Sequence, residues 1–212
     1  LDRFETVIKS KKQLKRKTMY EFSAPMPYTK EHIDKLVSIN KKIEKSQITS
    51  LYFSLPSNCE LFSGFEQFRN MDFNNNKFDY WKDLIEYSID KGFDFIYLLN
   101  RPNSNFNDEE GLKIQLDKLN RLLVELELIG VNKLRVSDHK LLSYLHKKYP
   151  QFTLYSSTSF EYKSIGEYKN FIKLHPYVKQ VVPSHDLNKN FKMLKSMVNS
   201  FKNIEIELMV NQ

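Results

Sequence analysis

The sequence is poor in the residues that build several common kinds of site. It has one cysteine, Cys59, in 212 residues. That excludes an intramolecular disulfide framework, and any zinc or iron–sulfur centre held by this chain's cysteines alone. A lone thiol agrees with a reducing compartment, and a cytoplasmic location is expected. The five glycines form neither Gly-x-Gly-x-x-Gly nor Gly-x-x-x-x-Gly-Lys, so the dinucleotide fingerprint and the phosphate loop are both missing. His-Glu-x-x-His and Gly-x-Ser-x-Gly are absent too. No apolar run reaches the length of about 18 residues that a spanning helix needs, so no membrane partner is expected. The start, Leu1-Asp2-Arg3-Phe4, has no initiator Met and no apolar leader, and reads as a cut through a longer polypeptide.

What is present suits a folded protein. Apolar residues make up 41% and aromatics 14%, enough for a substantial core in one large domain or two small ones. The net charge is +7, which permits an anionic partner such as RNA. Part of the excess is local, in Lys9, Lys11, Lys12, Lys15, Arg16 and Lys17. Lys11, Lys12, Lys15, Arg16 and Lys17 are candidates for contacts to nucleic-acid phosphates, with affinity that falls steeply with salt. The plainer reading is a solvated surface run. Residues 1–18 are set apart as a basic N-terminal segment, and 19–212 as one domain.

Along that domain strands alternate with helices. Strands are predicted at Met19–Ala24, Ser50–Leu55, Phe93–Leu99, Lys133–Ser137, Phe152–Ser156, Val178–Val182 and Ile204–Val210. The helix after Thr29 carries Ile33, Leu36, Val37 and Ile43 on one stripe, and Thr29 is its expected cap. A helix over Phe78–Lys91 stops at Gly92, and one ending at Ile129 stops at Gly130. Further helices are expected after Asp138, over Ser164–Leu174 and over Leu187–Asn199. A long polar loop from Ser57 to Lys77 precedes the helix that bears Trp81. Seven strands joined by helical crossovers form a parallel sheet. The spacing of the later strands and the lack of a glycine-rich first turn favour an α/β, TIM-barrel-like (β/α) architecture over a doubly wound sheet. Seven strands fall one short of eight, so an incomplete barrel is expected.

In such a barrel, function gathers at the C-terminal ends of the strands. Those ends carry Ser54, Asn100, Arg101, Ser137, Asp138, Ser157, Thr158, Ser184, His185 and Asn211. The set is small, polar and rich in hydroxyls. It suits a polar substrate held by hydrogen bonds and lacks the ligands for a zinc-activated water. His185 and Asp138 are the candidate catalytic acid–base groups. Ser54, Asn100, Arg101, Ser137, Ser157, Thr158, Ser184 and Asn211 are candidate substrate contacts, with Arg101 suited to an anion. Each has an ordinary alternative: Ser137, Asp138, Ser184 and Asp186 stand where helix caps belong. His185 could be a solvated loop residue, and Arg101 could pair with Asp108 or Glu109. Cys59 reads as a spectator thiol, and His32, His146 and His175 as surface groups.

The order of the later strand ends is familiar. Val131-Asn132-Lys133-Leu134-Arg135-Val136-Ser137-Asp138, Leu154-Tyr155-Ser156-Ser157-Thr158, Val178-Lys179-Gln180-Val181-Val182-Pro183-Ser184 and Ile206-Glu207-Leu208-Met209-Val210-Asn211 resemble peptidase family U32, the collagenase-like proteases. The resemblance covers roughly residues 90–212. It implies a barrel fold and activity either as a peptidase (a hydrolase) or in the hydroxylation of RNA bases or small aromatic molecules. It also implies a four-cysteine iron–sulfur cluster in several members. Those cysteines would follow Asn211, so the ligands cannot be carried onto any residue of this sequence and no cofactor is expected within it. The alternative is a noncatalytic barrel that binds nucleic acid or protein.

Overall fold

The computed structural model describes residues 20–54, 76–100 and 109–209. Strand and helix alternate throughout them. The elements are β1 (Tyr20–Pro25), α1 (Lys30–Lys42), β2 (Ser46–Phe53), α2 (Asn76–Asp90), β3 (Asp94–Leu99), α3 (Glu109–Leu128) and β4 (Lys133–Val136). They continue as α4 (His139–Lys148), β5 (Thr153–Ser156), α5 (Ile165–Leu174), β6 (Gln180–Val181), α6 (Phe191–Ser200) and β7 (Glu205–Ile206). The sheet runs β1-β2-β3-β4-β5-β6-β7, and every neighbouring pair is parallel. Because spatial order equals chain order, each crossover turns the same way and the helices share one face. A doubly wound sheet would reverse direction partway. The result is the expected incomplete (β/α) barrel, a curled half-barrel of seven strands.

Strand alternation divides the sheet into two faces. Leu51, Phe53, Phe95, Tyr97, Leu99, Leu134 and Val136 face the helices and join one large buried cluster with residues such as Ile33, Leu84, Leu123 and Phe171. Trp81 closes this core near β2, stacking on Phe53 with ring centroids 4.4 Å apart. Ile96, Leu98 and Tyr155, with Tyr52 beside them, form a second cluster on the opposite, inner face. In β2 the pairing steps from Phe22↔Ile48 to Ser23↔Ser50. Thr49 is the extra residue of a bulge, which lets both Ile48 and Leu51 serve the helix-facing core.

Local signals set the helix ends. Thr29 Oγ1 accepts from the His32 amide at 3.3 Å, Asp138 Oδ1 from that of Leu141 at 2.8 Å, and Ser164 with Glu167 closes a capping box on α5. Gly130, at φ 86°, ends α3 with the Val131 amide bonded back to the Leu126 carbonyl at 2.9 Å. That left-handed turn is where glycine is preferred.

Three expectations change. The two last strands are short, two residues each, although the Glu207 amide still donates to the Val181 carbonyl at 3.0 Å. The helix expected over Leu187–Asn199 is divided. A 3₁₀ turn covers His185–Leu187, and α6 starts at Phe191 because the Asn190 side chain caps the Met193 amide at 3.1 Å. His175 is not a surface group: it is 4% exposed. The basic run at 9–17, Ser57, Cys59, Arg101 and Asn211 lie outside the described residues. Among the described residues no helix is long and apolar enough to cross a membrane.

His175 is buried within a hydrogen-bonded chain. Ser143 Oγ donates to the His139 carbonyl at 3.1 Å, so it receives the Tyr177 hydroxyl at 3.4 Å. Tyr177 in turn accepts from His175 Nδ1 at 2.7 Å, and His175 Nε2 accepts from His139 Nδ1 at 2.7 Å. Tyr162 then donates to His139 Nε2 at 2.9 Å. Burial, helped by the neighbouring His139, lowers the His175 pKa to about 4. Between pH 4 and the unfolded value of about 6.5 the unfolded chain therefore binds more protons, and stability falls as pH falls. We expect about 2 kcal/mol to be lost between pH 7 and pH 4.5, read by urea unfolding. His175→Phe should remove most of this dependence; an unchanged dependence would show that other groups carry it.

Candidate functional site

The inner face of the half-barrel is polar where a filled barrel would be apolar. On β4, Lys-Leu-Arg-Val alternates so that Leu134 and Val136 enter the core, leaving Lys133 and Arg135 on the inner face. On β7 the same alternation places Glu205 and Glu207 there. Arg135 Nη2 donates to Gln180 Oε1 at 2.8 Å and to Glu207 Oε2 at 2.5 Å. These bonds cross the interior from β4 to β6 and to the end of β7. The Arg135 side chain is 9% exposed and that of Glu207 20%.

Towards the N-terminal ends of the strands Lys133 is bonded to Asp94. Burial alone would lower the Lys133 pKa; the Asp94 hydrogen bond and the fields of Tyr155, Asp94 and Glu205 outweigh it, and the net shift is upward. Burial likewise raises the pKa of Tyr52 and Tyr155, so both phenols stay protonated at neutral pH. Together with Ile96 and Leu98 they make an apolar floor with two hydroxyl groups.

Above the floor lies the rim of strand ends. Continuing each strand's alternation puts Ser54, Asn100, Ser137, Ser157 and Ser184 over the interior. Ser54, Ser137, Ser157 and Ser184 are all buried. Ser137 Oγ donates to the Leu99 carbonyl at 3.3 Å, and Ser157 Oγ donates to Ser159 Oγ at 3.1 Å. Thr158 opens a 3₁₀ turn capped by Ser157. Among the described residues Ser54 Oγ, Asn100 Oδ1, Arg135 Nε and, beyond β6, Asn188 Oδ1 are buried without a hydrogen-bond partner; the first three concern the interior. These three come from adjacent strands, β2, β3 and β4, on one face. Buried polar atoms are nearly always paired, and leaving one unpaired costs about 1–3 kcal/mol. Lying on one face of three neighbouring strands, they offer polar atoms that a ligand's groups could pair with.

The two candidate acid–base residues lie differently. Asp138 caps α4 through Oδ1. His185 is 59% exposed, with Nε2 3.1 Å from Asp186 Oδ1. Among the described residues no serine hydroxyl bonds to a histidine ring, and no three His, Cys, Asp or Glu side chains converge on a metal-sized site. Sequence reasoning passed over Tyr52, Arg135, Tyr155 and Glu207. The signal for them was the charged half of the alternation in β4 and β7.

The comparisons with known proteins agree with this architecture. No family model matches the chain, and no curated protein does. Among solved structures it is similar to the U32 peptidase Mk0906, with a TM-score of 0.60 and 13% identity over 90% of this chain. It is also similar to CpGH84B, with a TM-score of 0.55 and 16% identity over 85% of this chain. It spans 67% of the first neighbour and 37% of the second. At these identities the likeness is one of fold. The class the chain falls in is an incomplete (β/α) barrel whose fold is similar to that of the U32 peptidase.

The orphan hydroxyl gives a direct prediction. Ser54→Ala removes a buried, unsatisfied group and should stabilise the protein by about 1 kcal/mol, raising Tm by about 3 °C for a chain of this size. Scanning calorimetry checks this. A clear loss of stability would show that the hydroxyl is satisfied.

Proposed function

We propose that this chain is the substrate-binding barrel of a U32-type enzyme, cytoplasmic, that acts in the hydroxylation of RNA bases or small aromatic molecules. The observation that carries the reading is that Ser54 Oγ, Asn100 Oδ1 and Arg135 Nε, on one face of neighbouring strands, have no hydrogen-bond partner among the described residues, beside the floor of Tyr52, Ile96, Leu98 and Tyr155. A flat ring with polar edge groups matches both parts. Its faces would meet apolar side chains, and its edge atoms would satisfy the orphan donors and acceptors.

The residues here bind and orient; they do not supply the oxidation. A four-cysteine iron–sulfur cluster does not fit this chain, whose sole cysteine is Cys59, so no step is assigned through one. A peptidase mechanism draws less support, because the rim hydroxyls have no histidine partner among the described residues and proteolysis needs an activated nucleophile or a metal-bound water. Arg135, held by Glu207 and Gln180, would fix the ligand by its remaining Nε–H. Ser54 and Asn100 would set its angle.

Mass spectrometry of nucleosides and small-molecule extracts from cells with and without the gene tests the reading. We expect one hydroxylated nucleoside or phenol to disappear in its absence, and to stay absent when Arg135→Met is supplied in its place. Unchanged profiles of both kinds would overturn it.

A further inference from the structure

The outer surface of α6 has an unusual composition. Between Asp186 and Glu205 the sequence holds Lys189, Lys192, Lys195 and Lys202 and no acidic residue. All four lysines are exposed, and none makes an ion pair among the described residues. Phe191, the first residue of the helix, is 77% exposed, and Val198 is 60% exposed. Phe191, Lys195 and Val198 follow helical spacing and share one stripe of α6, with Lys192 alongside, and Lys202 stands in the turn just after the helix, which ends at Ser200. The apolar side of α6 is already committed: Met197 is fully buried, and Met193 and Leu194 pack on the core. The outward stripe is therefore a second face, an exposed aromatic ring among uncompensated ammonium groups.

Its place in the fold adds meaning. A helix that follows a strand in this architecture begins at the rim. Ser184 stands on that rim, and only one 3₁₀ turn separates it from the Asn190 cap of α6. Phe191 thus leaves the rim first, and the lysines trail away from it down the outer wall.

We propose that this stripe is a track for single-stranded RNA. Lys192 and Lys195 on α6 and Lys202 in the turn after it meet phosphates of the strand, and Phe191 stacks on a base at the entrance to the mouth. This deepens the functional reading above and rests on its RNA branch. An anionic membrane is the less suitable occupant. Interfacial helices lay a continuous apolar face into the lipid, whereas here that face is packed on the core and Lys195 interrupts the outer stripe.

Fluorescence anisotropy with the whole chain and a labelled single-stranded RNA of about 16 nucleotides, over a range of salt, tests the track. Lys192→Gln/Lys195→Gln/Lys202→Gln should lower the slope of log affinity against log salt by about 2, at about 0.7 per phosphate. Phe191→Ala should weaken binding roughly tenfold at every salt concentration with the slope unchanged. The control Lys41→Gln/Lys42→Gln, on the last turn of α1, should bind like the parent. Circular dichroism verifies that each variant is folded. The proposal is overturned if the triple variant keeps the parental slope, if the α1 control loses as much, or if the chain binds phosphatidylglycerol vesicles and not RNA. RNA binding through α6 with unchanged nucleoside profiles would remove the oxidative reading and leave the track in place.

Discussion

The ion pair from Arg135 to Glu207 governs the shape of the interior. In a flat sheet β4 and β7 would lie three strand spacings apart, about 14 Å. Their side chains meet at 2.5 Å because the sheet curls, and the bond spans that curve as a chord. Gln180, on β6 beneath the chord, shares Arg135 Nη2 at 2.8 Å and donates to Glu205 at 3.2 Å. The ladder from β5 to β7 has few paired residues, so side chains crossing the interior supply much of what holds this end of the sheet in register. Such a pair is expensive to desolvate, and removing one partner leaves an uncompensated charge.

The chord also explains why the interior can be a site. A complete barrel fills its centre with layers of branched apolar side chains. Here the centre holds charged groups bonded to one another, Arg135 with Glu207 and Gln180 and Lys133 with Asp94, while Ser54 Oγ, Asn100 Oδ1 and Arg135 Nε have no partner among the described residues. Those atoms belong to residues on or just after β2, β3 and β4. Structure thus separates two tasks: Glu207 and Gln180 fix the guanidinium through Nη2, and its Nε–H is left without a partner among the described residues. The outer wall adds a further surface at α6, reached from the same rim.

Much of the architecture is legible in the sequence. Pro and Gly punctuation together with β-branched and aromatic runs located the seven strands, and the uniform strand–helix spacing argued for a singly wound sheet. Caps such as Thr29 and Asp138 were readable because they act within three residues. Features that depend on the assembled sheet were not. The Thr49 bulge leaves no local mark. Asn190 displaced Leu187 as the start of α6 through a cap that competes with an equally plausible helical pattern. His175 looked exposed, since the partners that bury it, His139 and Tyr177, converge only after α4 and α5 pack. The rim serines could be listed by position, but Arg135 and Glu207 are 72 residues apart, and only curvature makes them neighbours.

A double-mutant cycle on that pair is the most direct measurement. Urea unfolding of Arg135→Met, Glu207→Met and the double variant would give the coupling between them. Single losses of about 3 kcal/mol each are expected, with a double variant not much worse than either. Strictly additive losses would contradict this expectation, because the two side chains would then stabilise the fold independently and no chord would exist.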